Sequence, residues 1–512
     1  MDGVMNPSLQ SRFGPAIMLV TIILLPRIWV ASQAVAPNKD AIRYWAAADL
    51  FVLNPPIEAI GSIDSLPVYP AILAFIKSAG WATTPDLWWR SSQLVGMGFY
   101  AVFLLSAYGA GTMMVGAHQS WWGCLLVAFL PRQIRYSVDI LADNVLAAFL
   151  WLALAIWWWV MDRDRSSGWL LVVSILLGLA ALTRPEAYLW IGVLLLVTFV
   201  AERGRSAKRS GLIVSITCLL APLVVLIGSY TFVRGEIAPS NTGRAMLGVT
   251  TASESAGGTD LKTPFDEWVA SNPKSFSSMA GASLIVFWEG AQETRVLLLL
   301  FFIFGIVGGG WNHRLIRWLM LLLLLGTLAM LFWCRWEVGF LTSRYFMPIL
   351  PIIGFGAVAG MEKLIDQLSR GASRVTVARR VYVAAVVIAF LLAIPTLSQP
   401  MHADRSGHRQ AANWLLAHTT AGEEVFDPSW VSAYFSGRPM SIPSADRAPR
   451  YGVIDASYVI SPPAGLERAI ELAVSGRVVA EFPKRSGSSV VGVRVYEMPA
   501  TTEAQRESTK IR

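Results

Sequence analysis

The sequence predicts a polytopic α-helical membrane protein that ends in a small α/β domain, and three observations predict it. Of the 512 residues, 54% are apolar and only 15% are charged, whereas a soluble domain carries about 25% charged residues. Apolar runs approaching the roughly 20 residues a helix needs to cross a bilayer recur between residues 13 and 397. Beyond residue 398 those runs stop, and shorter helix-like and strand-like segments alternate. The net charge of +8 is spread thinly rather than gathered in a basic patch, which argues against a nucleic-acid partner. Composition likewise excludes a disordered chain and a secreted disulfide scaffold. Cys124, Cys218 and Cys334 lie far apart, within or at the end of apolar runs, the placement of packed thiols.

About eleven spans are expected, over residues 13–33, 93–115, 120–133, 140–160, 168–183, 187–201, 211–233, 295–310, 317–334, 344–361 and 380–397. The third, fifth and sixth are short and fit a bundle in which Pro131 and Pro185 interrupt the chain near their ends. The first resembles a signal peptide, with Arg12 before the apolar run and Ala34-Val35-Ala36 after it. Its length and the interrupting Pro26-Arg27 favour an uncleaved anchor. Lys and Arg are denser in the short loops that an N-in orientation places inside, most clearly Arg203–Arg209 and Arg374–Arg380. The N-terminus is therefore expected in the cytoplasm of a cell whose inner membrane holds the chain. Loops 36–90 and 234–294 then face outward, as does everything after residue 397. The transmembrane domain is expected over 1–397 and the extracytoplasmic α/β domain over 398–500, with a disordered tail over 501–512. Within the α/β domain, helices are expected at 405–418 and 464–475, and strands at 423–427, 456–461, 478–482 and 489–497.

Ionisable residues at the membrane surface are costly and call for a reason. Four groups stand out, all on the expected outer side. In Asn38–Trp45, helical spacing puts Asp40, Arg43, Tyr44 and Ala47 on one face; Asp49 falls on the other. The plain alternative is an interfacial helix with an Asp–Arg surface pair. The second group is the turn Asp64-Ser65-Leu66-Pro67-Val68-Tyr69-Pro70, where Asp64 equally suits a turn or a helix cap. In the third, Arg132–Asn144, Asp139 and Asp143 are four residues apart and expected on one helix face, with Arg135 as an i, i+4 partner of Asp139. That pairing leaves Asp143 unexplained. The fourth comprises Thr183-Arg184-Pro185-Glu186 and Ser343-Arg344-Tyr345, each with an arginine at the end of a span. Snorkelling to headgroups explains either arginine singly, but two together with the acids call for more.

Carboxylates and guanidiniums gathered at a membrane surface suit an anionic amphiphile. Guanidinium grips phosphate in a fork and stays charged, while a carboxylate can act as a general base or hold a divalent metal. A lipid-phosphate-linked sugar fits, because its leaving group departs as a stable anion. The protein then has only to neutralise that charge and activate the acceptor.

These motifs, in this order, resemble the GT-C superfamily of polyprenyl-phosphate-sugar-dependent glycosyltransferases. The resemblance is strongest to the branch holding protein O-mannosyltransferases, lipid A aminoarabinose transferases and lipopolysaccharide-core galacturonosyltransferases. It is carried by Asp40 with Tyr44, by Asp64–Pro70, by Tyr136–Asn144, by Leu182–Glu186 and by Ser343-Arg344-Tyr345, and covers roughly residues 10–365. The resemblance implies a GT-C-like fold and inverting transfer of a sugar from a polyprenyl-phosphate donor to a lipid, glycan or protein acceptor. It implies Asp40 as catalytic base; this chain has Asp40-Ala41 where many members carry two adjacent acids. Asp143, with Asp139 behind it, is implied as the second acid. Arg184 and Arg344, and more loosely Arg43, are implied as donor-phosphate ligands, with Tyr44, Asp64, Glu186 and Tyr345 in support. The resemblance makes no cofactor certain and leaves open a divalent metal, with Asp40 and Asp143 as its candidate ligands. A transporter or lipid flippase, a surface-polysaccharide polymerase or ligase, and a non-catalytic assembly protein are the competing functions.

Overall fold

The computed structural model describes residues 9–81, 83–162, 168–205, 209–235, 276–294, 296–307, 314–338, 342–369, 373–443, 449–460, 462, 466–483 and 491–498. Most of the expected loop 234–294, and the tail 501–512, lie outside the described residues. The chain runs through α1 (Leu9–Gln33), α2 (Lys39–Leu53), α3 (Pro56–Ser62), α4 (Val68–Ile76), α5 (Pro85–Met114), α6 (Ala117–Ala128), α7 (Pro131–Val138), α8 (Asp143–Asp162), α9 (Trp169–Ala181), α10 (Ala187–Arg205) and α11 (Arg209–Arg234). Helices Phe276–Glu293, Leu297–Val307, Arg314–Val338, Leu350–Leu368 and Arg374–Ser398 follow, the fourth entered through a 3-10 segment, Ser343–Ile349.

Among the described residues, each of the eleven expected spans falls wholly or largely on helix. Among the described residues, seven helices are long and apolar enough to cross a membrane. The segment expected over 120–133 is two helices rather than one. A proline disfavours helical backbone in the residue before it, and Leu130, extended at φ −61 and ψ 123, separates α6 from α7.

The bundle is tied by close contacts that the apolar pattern alone does not specify. Arg27, inside α1 and fully buried, donates to the carbonyls of Ile23 (2.6 Å) and of Ala128 at the C-terminus of α6 (2.9 Å). Its guanidinium lies 4.2 Å from the centre of the Tyr100 ring. Those contacts supply a free helix-end carbonyl with a donor and give the charge a π-face. Helices Leu297–Val307 and Leu350–Leu368 touch backbone to backbone: a Cβ on Gly360 would lie 2.0 Å from the Phe301 carbonyl oxygen. Small residues at such crossings are what allow membrane helices this approach.

The C-terminal region forms a four-stranded sheet in the order β1 (Val425–Phe426), β2 (Tyr451–Asp455), β4 (Val491–Glu497), β3 (Arg477–Pro483). The β1–β2 pair is parallel and the other two pairs are antiparallel. Helices Ser406–His418 and Glu467–Val474 agree with the expected 405–418 and 464–475. The strand expected over 456–461 is a helix, Ala456–Ile460, and the strand precedes it as β2. The cause is Asp455, whose carboxylate accepts from the backbone N–H (2.8 Å) and hydroxyl (2.6 Å) of Ser457, capping a helix where the strand ends.

This sheet region is fastened to the first loop. Val35 N–H donates to Met401 O at 3.1 Å, and Arg405 donates to Pro37 O at 2.9 Å. A short helix missed by sequence, Val431–Ser436, stacks Tyr434 on Trp45 of α2 with ring centres 4.6 Å apart.

Candidate active site

Each charged side chain of the site stands where a helix begins or ends. Asp40 lies in the first turn of α2, where Asn38 caps the helix by accepting from Ala41 N–H (2.6 Å). Asp143 opens α8, Arg184 and Glu186 lie in the turn between α9 and α10, and Arg344 lies in the 3-10 segment. Carboxylates in first helical turns gain from the helix dipole, and termini gather at one end of the bundle because antiparallel helices share their turns.

The side chains form a continuous alternation of charge. Arg344 Nη1 donates to Asp40 Oδ2 at 2.8 Å, and its Nε lies 3.9 Å from Asp143 Oδ2. Asp143 Oδ1 accepts from Arg184 Nη1 at 2.9 Å. Arg184 turns its Nε and Nη2 to Glu186, the shortest contact being 2.7 Å. Both guanidiniums lie against the ring of Tyr345, at 4.7 Å for Arg184 and 5.7 Å for Arg344, a favourable cation–π placement.

Exposure separates the three carboxylates. The side chains of Asp143 and Glu186 are 3% and 6% exposed, while that of Asp40 is 43% exposed. Only Asp40 is open to a substrate. The two arginines differ as well. Arg184 commits all three guanidinium nitrogens to carboxylates, whereas the Nε of Arg344 is buried without a hydrogen-bond partner. Burial alone would raise the Asp40 carboxyl, but Arg344, with Arg184 and Arg43, outweighs it and holds the group below its ordinary range. Tyr44 packs edge-on to Tyr69 at 4.8 Å, and burial, then the Asp40 charge, pushes its phenol up to about 12.

The other expected residues are distributed around this network. Arg43 donates to the backbone carbonyl of Asp64 rather than to Asp40. Asp139 does not share a helix face with Asp143, because α7 ends at Val138 and Asp139 is extended (φ −68, ψ 150). Its carboxylate pairs with His402 at 2.8 Å instead of Arg135, and Arg135 turns to Gln399 at 3.4 Å. The i, i+4 expectation failed because it assumed an unbroken helix.

Sequence reasoning missed a second buried group beside the first. Glu293, at the end of helix Phe276–Glu293, accepts from Gln133 at 2.7 Å, and Tyr136 bonds Ser343 at 2.7 Å. Burial, opposed by Gln133 and Arg132, pushes the Glu293 carboxyl up to about 7. The signal was Glu289 and Glu293 spaced i, i+4, with Arg132 bonding Glu289 at 2.9 Å.

No protein-family model and no curated protein sequence matches the chain. Solved structures do. The Archaeoglobus fulgidus oligosaccharyltransferase in complex with Zn and sulfate aligns with a TM-score of 0.59 at 13% identity, over 94% of this chain and 72% of that one. ArnT from Cupriavidus metallidurans bound to undecaprenyl phosphate aligns with a TM-score of 0.61 at 12% identity, over 94% of this chain and 98% of that one. Its apo form aligns with a TM-score of 0.60 at 13% identity, over 95% and 98%. The chain has the GT-C fold.

The oligosaccharyltransferase structure contains zinc, and whether a metal fits here depends on the side chains around Asp40 and Asp143. Among the described residues no cluster of three or more His, Cys, Asp or Glu side chains is placed to hold an ion. Arg344 already lies between Asp40 and Asp143, the two carboxylates expected as candidate metal ligands. A cation there would have to displace a guanidinium and would gain two ligands from the described residues, short of what Zn²⁺ or Ca²⁺ takes. The described residues around Asp40 and Asp143 do not by themselves make a site for a divalent ion.

Proposed function

We propose that this chain transfers a sugar from a polyprenyl-phosphate donor to a lipid, glycan or protein acceptor outside the cytoplasmic membrane, with inversion at the anomeric carbon. The proposal takes residues 1–397 as the membrane domain, N-terminus in the cytoplasm, and 398–500 as an extracytoplasmic domain. The observation that carries it is the Asp40–Arg344 contact: the accessible carboxylate of the network is held by the arginine that retains an unpaired N–H.

A donor phosphate competes with Asp40 for Arg344, since guanidinium binds both anions in the same geometry. Its arrival releases Asp40, which takes the proton of the acceptor hydroxyl or amine as that atom bonds to the anomeric carbon. The anomeric carbon–oxygen bond breaks on the opposite face, and its electron pair leaves with the lipid phosphate, neutralised by Arg344 with Arg43 at the rim. Arg184 acts through Asp143 and Glu186, fixing the network and adding positive potential. Preorganised charge of this kind is a large part of enzymatic rate acceleration.

The experiment is transfer from lipid-linked sugars by the full chain in nanodiscs. Asp40→Asn should abolish transfer while the protein still binds polyprenyl phosphate; retained turnover would remove Asp40 from the reaction.

A further inference from the structure

Beside Asp40 a cavity of about 480 Å³ opens between two parts of the chain that sequence places far apart. One wall is α2, with Asp40 and Arg43, and Asp64 lies at its edge. The other is the turn Ser429-Trp430 from the sheet region. The volume falls within the range of small-molecule sites.

Trp430 is an anomaly on three counts. It is 48% exposed, although it belongs to a tightly packed region. Its backbone is left-handed, φ 64, a conformation that bulky residues rarely adopt. The turn is also locked in place around it. The fully buried Asp427 carboxylate accepts from the N–H (3.0 Å) and hydroxyl (2.6 Å) of Ser429 and from the N–H groups of Ser432 (2.6 Å) and Ala433 (3.0 Å). The following helix is pinned to α2 and α5 by Tyr434 on Trp45 and Phe435 on Trp89. Backbone strain persists only where its surroundings over-determine it, and it concentrates at functional positions.

We infer that Trp430 is the stacking platform for a neutral saccharide acceptor, whose attacking hydroxyl faces Asp40 across the cavity. An indole offers a broad apolar face with a negative π-surface, which suits the C–H face of a sugar ring. The carboxylates of Asp40 and Asp64, with the Ser62 hydroxyl as an acceptor while it donates to Glu58 O (2.9 Å), supply hydrogen-bond partners for the ring's hydroxyls. The lining sets Asp40 and Asp64 against the single cation Arg43, whose guanidinium is bonded to the Asp64 carbonyl, and this net negative balance disfavours an anionic acceptor. Strand addition by a peptide is blocked at β1, whose open side is already bonded by Val425 N–H to Pro439 O and Ser441 N–H to Val425 O, both at 2.9 Å. The inference rests on the transferase reading for the role of Asp40, but saccharide binding at Trp430 is measurable without turnover.

The test uses the full chain in nanodiscs, with maltotriose, cellotriose and mannotriose as probes and sialic acid and a neutral tripeptide as controls, read by saturation-transfer NMR and calorimetry. At least one neutral trisaccharide should bind, with saturation strongest on the C–H protons of one ring. Trp430→Gly should weaken binding tenfold or more while leaving the thermal midpoint unchanged or raised, because glycine tolerates the left-handed backbone. Trp430→Phe should stay within about threefold of wild type. If Trp430→Gly fails to fold, Trp430→Leu replaces it, keeping apolar bulk but no flat face, and should lose binding. Absence of binding to all three sugars overturns the inference, as does unchanged affinity in the glycine or leucine variant, or preference for the tripeptide. Sugar binding at Trp430 together with full turnover by Asp40→Asn would keep the platform and sink the catalytic reading instead.

Discussion

Arg344 and Asp40, 304 residues apart in sequence, share a hydrogen bond of 2.8 Å. The contact joins α2 to the 3-10 segment ahead of helix Leu350–Leu368 and leaves the Asp40 carboxyl below its ordinary range despite its partial burial. A carboxylate base works only when deprotonated, so transfer falls as pH drops through its pKa. In the free enzyme that acid limb, read from kcat/KM, should lie below the usual range near 4. Arg344→Gln removes the strongest lowering influence and should move the limb upward, together with a loss of donor affinity. A limb that stays in place would detach Asp40 from Arg344.

Glu186 tests the supporting half of the network. It is 6% exposed and holds the fork of Arg184, itself only 11% exposed. Removing one partner of a buried pair costs about 3–5 kcal/mol where the other charge is left stranded; Arg184 keeps its bond to Asp143, so loss of Glu186 falls toward the low end of that range. Glu186→Ala should therefore lower the thermal midpoint of the solubilised protein substantially, whereas Asp40→Asn, at the exposed end, should shift it little. Equal shifts for the two variants would contradict the division into an accessible base and a buried support.

The legible parts of this molecule were those written in local pattern. Eleven apolar runs became helices because each carries its own hydrogen bonds and needs only length and hydropathy. Charges at span ends were legible as misplaced, and Asp40, Asp143, Arg184, Glu186 and Arg344 do form one connected group. Which acid met which base was not legible, since pairing depends on how helices pack. Asp139 illustrates this: its i, i+4 neighbour Arg135 was the obvious partner, and the actual partner, His402, lies 263 residues away. Glu293 stayed hidden because a helix-end glutamate reads as solvated until Gln133 is brought against it. The strand expected at 456–461 failed on one capping interaction at Asp455. The strained turn at Trp430 carried no sequence signal, because nothing in Pro428-Ser429-Trp430 announces a left-handed tryptophan.

Chelation separates this arrangement from a metal-dependent one. With Arg344 between Asp40 and Asp143, fixed positive charge already stands where the proposed donor phosphate would bind. Transfer should keep its rate after EDTA treatment and dialysis, and added Zn²⁺ or Mn²⁺ should not raise it more than about twofold. Loss on chelation with recovery on adding one metal would show that the guanidinium yields its place.

The crossing of helices Leu297–Val307 and Leu350–Leu368 offers a purely structural test. At Gly360 one added methyl group meets backbone rather than a movable side chain. Overpacking of this kind costs about 1–3 kcal/mol. Gly360→Ala should lower the thermal midpoint, while Gly98→Ala, on α5 with open space around the position, should leave it unchanged or raise it through better helix propensity. Tolerance of alanine at position 360 would mean that the helices stand further apart.

Acid stability of the sheet region follows from Asp455. Burial would raise its carboxyl, but hydrogen bonds from His408 and Ser457 outweigh it and bring the group down to about 2. His408 also lies 3.0 Å from the Ser429 hydroxyl, next to the strained turn. A depressed carboxyl contributes its full stabilisation above the unfolded pKa near 4 and loses it as pH falls toward 2. Hydrogen-exchange protection in peptides spanning residues 406–460, taken relative to the intrinsic rate at each pH, should therefore fall between pH 4 and 2 in the wild type. Asp455→Asn should exchange faster already at pH 6 and show a flatter response on acidification, because the titrating group is gone. Parallel pH profiles for the two proteins would assign the acid sensitivity elsewhere.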